Sequence, residues 1–470
     1  MNTLYYGDNL TILRDYVKDE SVDLIYLDPP FNSKADYNLL FKEPTGVVSE
    51  AQITAFEDTW HWTDQTEDTF QKIIKVAPAK VVEMMSAFKQ FIGLNDVMAY
   101  LTMMCIRLIE MRRTLKNTGS IYLHCDPTTS HYLKILMDSI FGKKYFVNEV
   151  IWAYRTQGAT KRHWSRKHDV LLFYSKTDKY NFNYQTERSY MQHKYGFDKE
   201  DFKLDEEGKQ YRDALIRDVW EISAIQSATR ERLGYPTQKP EALISRIINA
   251  SSNKGDVVMD TFCGCGTSIA VAQKLDRHWI GIDITHLAIN LIKWRLKEMF
   301  NLLPKKDYKV IGEPEDLTGA KELAATNRYQ FQWWALALID ARPYGDKKKG
   351  SDTGIDGYMY FSDEKDKVKK IIIQVKSGHV GVKDIRDLGH VIDREKAEIG
   401  IFITLESTTE PMRKEAILKG YYTSKLTQKD YPKIQILTIE ELLNGNKPNT
   451  PLAIGVHKKA EQSFTQGNLL

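Results

Sequence analysis

Asp256-Val257-Val258-Met259-Asp260-Thr261-Phe262-Cys263-Gly264-Cys265-Gly266-Thr267 is the stretch that decides the fold. An apolar run that reads as a strand enters a Gly-rich turn, and a helical pattern follows over 268–275. Glycines permit a tight turn and let backbone approach a ligand closely. A further apolar run over 279–282 ends at Asp283, about 17 residues past the loop, near the spacing at which an acid holds ribose hydroxyls. The third glycine of the dinucleotide fingerprint is missing, since Ile269 follows Thr267-Ser268. No Gly-Lys-Ser/Thr follows either, so this is not a phosphate loop. A nucleoside without phosphates fits better, and S-adenosylmethionine is such a nucleoside. For Gly264 and Gly266 a plain strand-to-helix turn is the competing possibility.

Upstream, the apolar run Leu24-Ile25-Tyr26-Leu27 ends in Asp28-Pro29-Pro30-Phe31. A carboxylate, a rigid backbone carbonyl and a flat ring then share one strand tip. Methylation of an exocyclic amine on a nucleobase needs that set of groups. The amine lone pair is delocalised into the ring, which makes the nitrogen a poor nucleophile. Hydrogen bonds from the amine to Asp28 and to the Pro29 carbonyl draw the nitrogen toward tetrahedral geometry, and Phe31 stacks on a base taken out of the duplex. The bland alternative is a strand followed by a Pro-Pro turn with a capping Asp.

At 470 residues the chain is too long for one core, and two or three domains are expected. A hydrophobic share of 42% and a charged share of 27% mark a soluble globular protein. The formal charge of +3 is nearly neutral, so a nucleic-acid surface has to be a local patch. Four cysteines, Cys105, Cys125, Cys263 and Cys265, are too few for a disulfide framework and point to a reducing cytoplasm. Cys263-Gly264-Cys265 has no second Cys/His pair at zinc spacing, so no metal is expected there. Met1–Asp8 has no basic segment followed by an apolar one, so no signal peptide is expected, and no apolar stretch reaches membrane-spanning length.

Strand-like runs at 24–27, 120–124, 170–174, 257–260 and 279–282 alternate with helical patterns at 96–115, 130–140, 240–250, 268–275 and 287–299. The alternation predicts an α/β fold with a mostly parallel, Rossmann-like sheet over residues 1–300. Residues 155–235, rich in Tyr, Lys, Arg and Gln, break the rhythm and read as an insertion. Residues 301–318 read as a linker. A smaller α/β domain is expected over 319–445, with a helix over about 319–340, strands at 368–376, 398–405 and 434–439, and a helix at 411–419. Residues 446–470 read as a polar tail.

Taken together these motifs resemble the amino-group DNA methyltransferases of β order, in which the catalytic motif precedes the cofactor loop. The likeness rests on Tyr5-Tyr6-Gly7-Asp8-Asn9-Leu10, Asp28–Phe31 and Gly119-Ser120-Ile121-Tyr122-Leu123-His124-Cys125-Asp126. It continues through His168-Asp169 to Lys176, Tyr235-Pro236-Thr237-Gln238-Lys239-Pro240, Phe262-x-Gly264-x-Gly266 and Gly281-Ile282-Asp283. Asn32 after the catalytic motif resembles the type III modification subunits. The resemblance implies that Asp28, Pro29, Pro30 and Phe31 hold and activate the target base. It implies that Asp8, Thr237, Lys239, Phe262, Gly264, Gly266 and Asp283 bind S-adenosylmethionine, with Thr237 and Lys239 near its methionine part. Asp at the first catalytic position leans toward adenine N6 over cytosine N4. Asp8 also reads as an N-cap, Lys239 as a solvated turn charge, and His124 and His168 as structural histidines.

Arg155, Lys161, Arg162, Arg166 and Lys167, with His163 and Trp164 among them, form a basic cluster that suits phosphate contact with double-stranded DNA. A solvated loop is its alternative. The residues that follow, to about 235, are expected to read sequence.

In the second domain, Asp352-Thr353-Gly354-Ile355-Asp356-Gly357 precedes the strand Ile371-Ile372-Ile373-Gln374-Val375-Lys376. Gln374 and Lys376 lie at i and i+2 and share a face. This portion, about 315–445, resembles the PD-(D/E)xK nucleases, in particular the Mrr-like restriction endonucleases. The resemblance implies a Mg²⁺ site on Asp356 and Gln374, with Lys376 orienting the attacking water and Glu322 as a further acid. Gln374 stands where Glu or Asp is commoner, and an amide oxygen binds a hard cation less tightly. The alternatives are a turn acid for Asp356 and a strand-edge charge for Lys376.

The leading expectation is a restriction–modification-like fusion that methylates DNA and cuts it with Mg²⁺. A methyltransferase whose nuclease-like domain only binds DNA is the alternative, and one acting on RNA or a protein amide is the third. No helicase motif is present, so ATP-driven translocation would need a partner. A homodimer or partner subunits of a restriction system are the assemblies left open.

Overall fold

The computed structural model describes residues 1–30, 36–42, 48–57, 61–154, 160–190, 202–225, 231–233, 235, 237–344, 353–364 and 367–451. Phe31, Asn32 and Arg155 lie outside the described residues, as does most of the polar tail.

The first sheet comprises β1 (Thr3–Tyr6), β2 (Val22–Leu27), β3 (Leu115–Cys125), β4 (Phe146–Ala153), β5 (His168–Ser175), β6 (Val219–Glu221), β7 (Val257–Asp260), β8 (His278–Asp283) and β9 (Lys309–Ile311). Its nine strands run in the order β6-β4-β5-β3-β2-β7-β8-β1-β9. β5 is antiparallel to both neighbours, and the remaining adjacent pairs are parallel. Side chains alternate across the sheet, as the period of two requires. Ile25, Leu27, Ile121 and Leu123 pack on one face with α1 (Asn9–Asp15), α2 (Asp64–Val76), α3 (Ala79–Ile92), α4 (Asp96–Thr114) and α5 (Ser130–Met137). Leu24, Tyr26 and Tyr122 pack on the other with α6 (Glu241–Ser251), α7 (Thr267–Lys274) and α8 (His286–Phe300). α4 is buried on nearly every side because α2 and α3 cover its outer face.

After α9 (Leu317–Thr326) and α10 (Arg328–Ala337), the second sheet comprises β10 (Arg342–Pro343), β11 (Gly357–Glu364), β12 (Lys367–Lys376), β13 (Ile399–Thr404) and β14 (Ile434–Thr438), in that spatial order. β10, β11 and β12 are antiparallel, whereas β12, β13 and β14 are parallel. α9 and α10 cover one face, and α11 (Val382–Arg394) with α12 (Glu410–Leu418) cover the other.

Three expectations are corrected. The 301–318 stretch holds β9, which pairs with β1 in the register Thr3↔Lys309 and extends the first sheet. It does so because Tyr308 is fully buried against Trp279. The 155–235 stretch contributes β6 to the first sheet besides β5, which the run at 170–174 predicts, and its separate part is a small antiparallel sheet of Thr186–Ser189, Gln210–Leu215 and Lys203–Leu204. The helix expected over 319–340 is two helices. Asn327 ends α9 and its side chain caps α10, accepting from Tyr329 N and Gln330 N at 3.1 Å.

Candidate active site

Parallel strands deliver their loops to the carboxyl edge of a sheet, and ligands collect there. β1, β8, β7 and β2 lie side by side. Asp8, Asp283, Asp260 and Asp28 therefore emerge at the same edge, around a cavity of about 250 Å³. Pro29, Pro30, Thr237, Lys239, Phe262 and Gly264 line the same cavity.

Asp8 is both cap and site residue. Its Oδ1 accepts from Leu10 N at 3.0 Å and Thr11 N at 3.1 Å. Its Oδ2 accepts from Arg107 Nη2 at 2.6 Å, and Arg107 Nε donates to Asn9 Oδ1 at 2.5 Å. Arg107 lines the cavity from α4, and burial holds its pKa below the usual guanidinium value. The sequence reading passed over it. Its signal was a cation set in the apolar run of α4.

Asp283 ties the loops after β7 and β8 together. Its Oδ2 accepts from Gly264 N at 2.9 Å, and its Oδ1 accepts from Thr285 N at 2.9 Å and Thr285 Oγ1 at 3.0 Å. Burial pushes this carboxyl above its ordinary value. Gly264 and Gly266 have left-handed φ of +50° and +72°. A Cβ on Gly264 would lie 3.0 Å from the Tyr235 ring, and one on Gly266 would lie 2.6 Å from Ile292 Cγ1. Gly264 thus faces the cavity, whereas Gly266 lets α7 approach α8 and is not among the lining residues.

Asp260, at the tip of β7, is buried and was not singled out by its sequence. Phe262 N donates to its Oδ1 at 2.9 Å, and Ser268 Oγ donates to its Oδ2. Burial, followed by the charges of Asp28 and Asp283, pushes its carboxyl up to about 7. Thr261 Oγ1 is buried beside it with no hydrogen-bond partner among the described residues. Lys239 Nζ rests against Asp28 Oδ2, which brings together two motifs that are 211 residues apart.

Behind Asp28, Tyr26 Oη lies 3.0 Å from His124 Nδ1. His124 Nε2 lies 3.1 Å from Asp169 Oδ2, and Tyr154 Oη donates to Asp169 Oδ1 at 3.2 Å. Burial pushes the Asp169 carboxyl up, but the hydrogen bond and charge of His124 outweigh it and leave the group below its ordinary value. In the basic cluster Lys161, Arg162 and Arg166 are exposed and Lys167 is half-buried, with Trp164 95% exposed among them.

The second candidate site is differently made. Asp356 is buried, and its Oδ2 accepts from Val375 N at 2.7 Å. Gln374 Nε2 donates to Gly354 O, and Gln374 Oε1 is buried without a hydrogen-bond partner among the described residues. Lys376 is half-buried at the end of β12, on the face it shares with Gln374. Glu322 is exposed on α9, which packs on α10 and on the helix Ile439–Leu443. Among the described residues, no three His, Cys, Asp or Glu side chains group as a metal site.

A family model described as DNA methylase, for N6 and N4 methyltransferases, matches residues 22–293, more than half of the chain. The chain belongs to this DNA methylase family. The type II methyltransferase M.HpaI of Haemophilus parainfluenzae is 36% identical over 212 residues, covering 45% of this chain and 64% of its own length. The type II methyltransferase M.HinfI of Haemophilus influenzae is 27% identical over 310 residues, covering 64% and 69%. DNA adenine methyltransferase YhdJ of Escherichia coli (strain K12) is 27% identical over 285 residues, covering 60% and 78%. The chain thus spans just under two thirds of the length of the first of these relatives. Their names carry type II and adenine specificity, so the type III likeness drawn from Asn32 gives way to a type II one.

A second family model, described as NACHT-associated inactive Restriction Endonuclease 1, matches residues 330–444 of the chain. The expected Mg²⁺-dependent cutting is corrected by that match, and the donor set gives the physical reason. A hard cation seeks several anionic oxygens. Among the described residues the site offers one carboxylate, with an oxygen held by a backbone N–H, and one amide oxygen. Those residues do not fit Mg²⁺, and no metal step is derived from them.

The two sheet domains share a wall. Trp333 of α10 packs into a cluster of Tyr235, Cys265, Leu287 and Leu291, two of which line the cavity. Gln330 Oε1 accepts from His286 N at 2.8 Å. Among the described residues no helix is long and apolar enough to cross a membrane.

Proposed function

We propose that this DNA methylase transfers a methyl group from S-adenosylmethionine to an exocyclic amine of a base in double-stranded DNA, adenine N6 in preference to cytosine N4. The observation that carries the reading is the single cavity bounded by Asp28-Pro29-Pro30 on one side and the Gly264 loop with Asp283 on the other. Its residues suit the cofactor. The Asp283 and Asp8 carboxylates match ribose hydroxyls and an ammonium, Lys239 and Arg107 match a carboxylate, and the orphaned Thr261 hydroxyl has room for a partner. Bound there, the cofactor supplies an electrophilic methyl on a sulfonium.

The chain's own residues act on the amine. Asp28 and the Pro29 carbonyl accept its two N–H bonds, which localises the lone pair and aims it. Orientation of the nucleophile is the larger contribution. Asp in the first catalytic position favours adenine, as does likeness to a relative named as a DNA adenine methyltransferase. Lys161, Arg162, Arg166 and Lys167 hold backbone phosphates, and the small sheet beyond them reads sequence.

The region from about 319 to 445 is proposed as a nuclease-like module that binds DNA without cutting it. Its match to an inactive restriction endonuclease family supports this. The test is tritiated methyl transfer to duplex DNA, RNA and protein in parallel, followed by digestion to nucleosides. N6-methyladenine in DNA is the expected product. Label confined to RNA or protein would overturn the assignment.

A further inference from the structure

We propose that Tyr26, His124 and Asp169 form a proton relay that drains the methylation site. This inference deepens the proposed methyl transfer and rests on it. Once the new N–C bond forms and the C–S bond breaks, the amine carries one proton too many, which has to leave before the base returns to the duplex. Asp28 is engaged by Lys239 Nζ in the cavity. Tyr26 lines the same cavity two residues before Asp28, and only 2% of its surface is exposed.

The hydrogen-bond polarity of the chain follows from its far end. Asp169 is an acceptor, so His124 Nε2 carries the proton it donates at 3.1 Å. Nδ1 is then a bare lone pair and accepts the Tyr26 O–H at 3.0 Å. With its proton turned toward His124, the phenolic oxygen offers a lone pair to the cavity. The ammonium proton passes to Tyr26 Oη as the Tyr26 proton passes to His124 Nδ1. The N–H bond at the base breaks, an O–H bond is exchanged and a new N–H forms on the imidazole. The imidazolium is held by Asp169, whose other oxygen accepts from Tyr154 Oη at 3.2 Å. The proton returns to solvent by the reverse path after product leaves.

The chain draws on three elements. Tyr26 comes from β2, His124 from β3 and Asp169 from β5, and the Trp152 ring of β4 closes it edge-on at 5.6 Å from the imidazole. The charges that face it are Asp28 and Asp260 beside Tyr26, Lys239 beside Asp169, and Asp126 beside Tyr154. His124 is fully buried, whereas the Asp169 side chain keeps 14% of its surface exposed.

Single-turnover methyl transfer across pH by wild type, Tyr26→Phe and Asp169→Asn, with histidine ¹⁵N NMR of the cofactor-free wild type and Tyr26→Phe proteins, tests the relay. The relay is expected to show the His124 proton on Nε2 in wild type and a changed Nδ1 shift in Tyr26→Phe. Both variants should lose roughly 100-fold or more in the chemical step. S-adenosylmethionine affinity should stay near wild type in Tyr26→Phe, and its rate should vary less with pH than that of wild type. A Tyr26→Phe enzyme with wild-type rate and profile, or a His124 proton on Nδ1, overturns the relay. Asp28→Ala run alongside separates the two readings. If it too keeps full rate, the amine transfer itself is wrong. If Asp169→Asn does not fold, the wild-type NMR tautomer still decides.

Discussion

The two candidate sites begin from the same ingredients, an acid beside the end of a buried strand, and end in opposite conditions. At the first, four aspartates emerge from adjacent parallel strands into one cavity, with Lys239 and Arg107 among them. At the second, Asp356 is turned inward and its carboxylate is held by the Val375 amide, while Gln374 donates to the Gly354 carbonyl. An acid becomes chemically useful when the backbone leaves its oxygens facing a space. Parallel strand ends provide that space, and the inward turn at Asp356 removes it.

The largest expected effect breaks the comparison if it fails. Asp28→Ala should lower the single-turnover methyl transfer rate roughly 100- to 1000-fold, the scale for removing a preorganised partner of the reacting group. Unchanged label incorporation would put the chemistry elsewhere.

Next comes Asp260. Its carboxyl sits at about 7 in the fold, raised first by burial and then by Asp28 and Asp283, whereas the unfolded value lies near ~4. The fold favours the protonated form, so this contribution is complete below about pH 4 and is lost as pH rises through about 7. Between about pH 5 and 8 the cofactor-free wild type should lose up to ~3 kcal/mol relative to Asp260→Asn. Urea denaturation of both proteins at each pH reads this difference, and parallel curves would show that Asp260 does not bear the strain of the shared cavity.

Gly266→Ala sharpens the distinction between structural and ligand-facing glycines. A left-handed alanine with Ile292 Cγ1 only 2.6 Å from its Cβ should cost about 2 kcal/mol in stability. Gly264→Ala should instead act on cofactor affinity by isothermal titration, because its Cβ would meet the Tyr235 ring at the cavity. The smallest effect lies at the second site. Lys376→Ala should leave methyl transfer intact and weaken duplex binding less than about threefold, as for one phosphate contact. Wild type and variant should both leave supercoiled plasmid uncut in Mg²⁺, and a cut that needs Lys376 would restore a working nuclease.

Much of the fold was legible because its signals are local. The runs 24–27, 120–124, 170–174, 257–260 and 279–282 all lie in strands, and each helical pattern from 96 to 299 coincides with a helix to within a few residues at its ends. The missed elements have physical reasons. β9 is three residues long and owes its place to a buried Tyr308 and to pairing with β1, more than 300 residues away in sequence. The break at Asn327 is a capping choice inside a continuous helical pattern. In the site, Asp8, Asp28, Thr237, Lys239, Phe262, Gly264 and Asp283 converge on one cavity, as motif positions can reveal. Arg107, Asp260 and the partners of His124 were not legible, because what each does is fixed by residues on other strands and helices. His124 reads as a structural histidine until β5 brings Asp169 to one nitrogen and β2 brings Tyr26 to the other.

The shared wall at α10 has a consequence for anyone who would separate the halves. A chain stopped after β9 would leave Leu287 and Leu291 without Trp333 over them and the His286 amide without the Gln330 oxygen. The scar would lie directly beneath Tyr235 and Cys265, on the floor of the cavity. The C-terminal half is therefore as much a foundation of the catalytic half as a passenger on it, and truncation should weaken both cofactor retention and solubility.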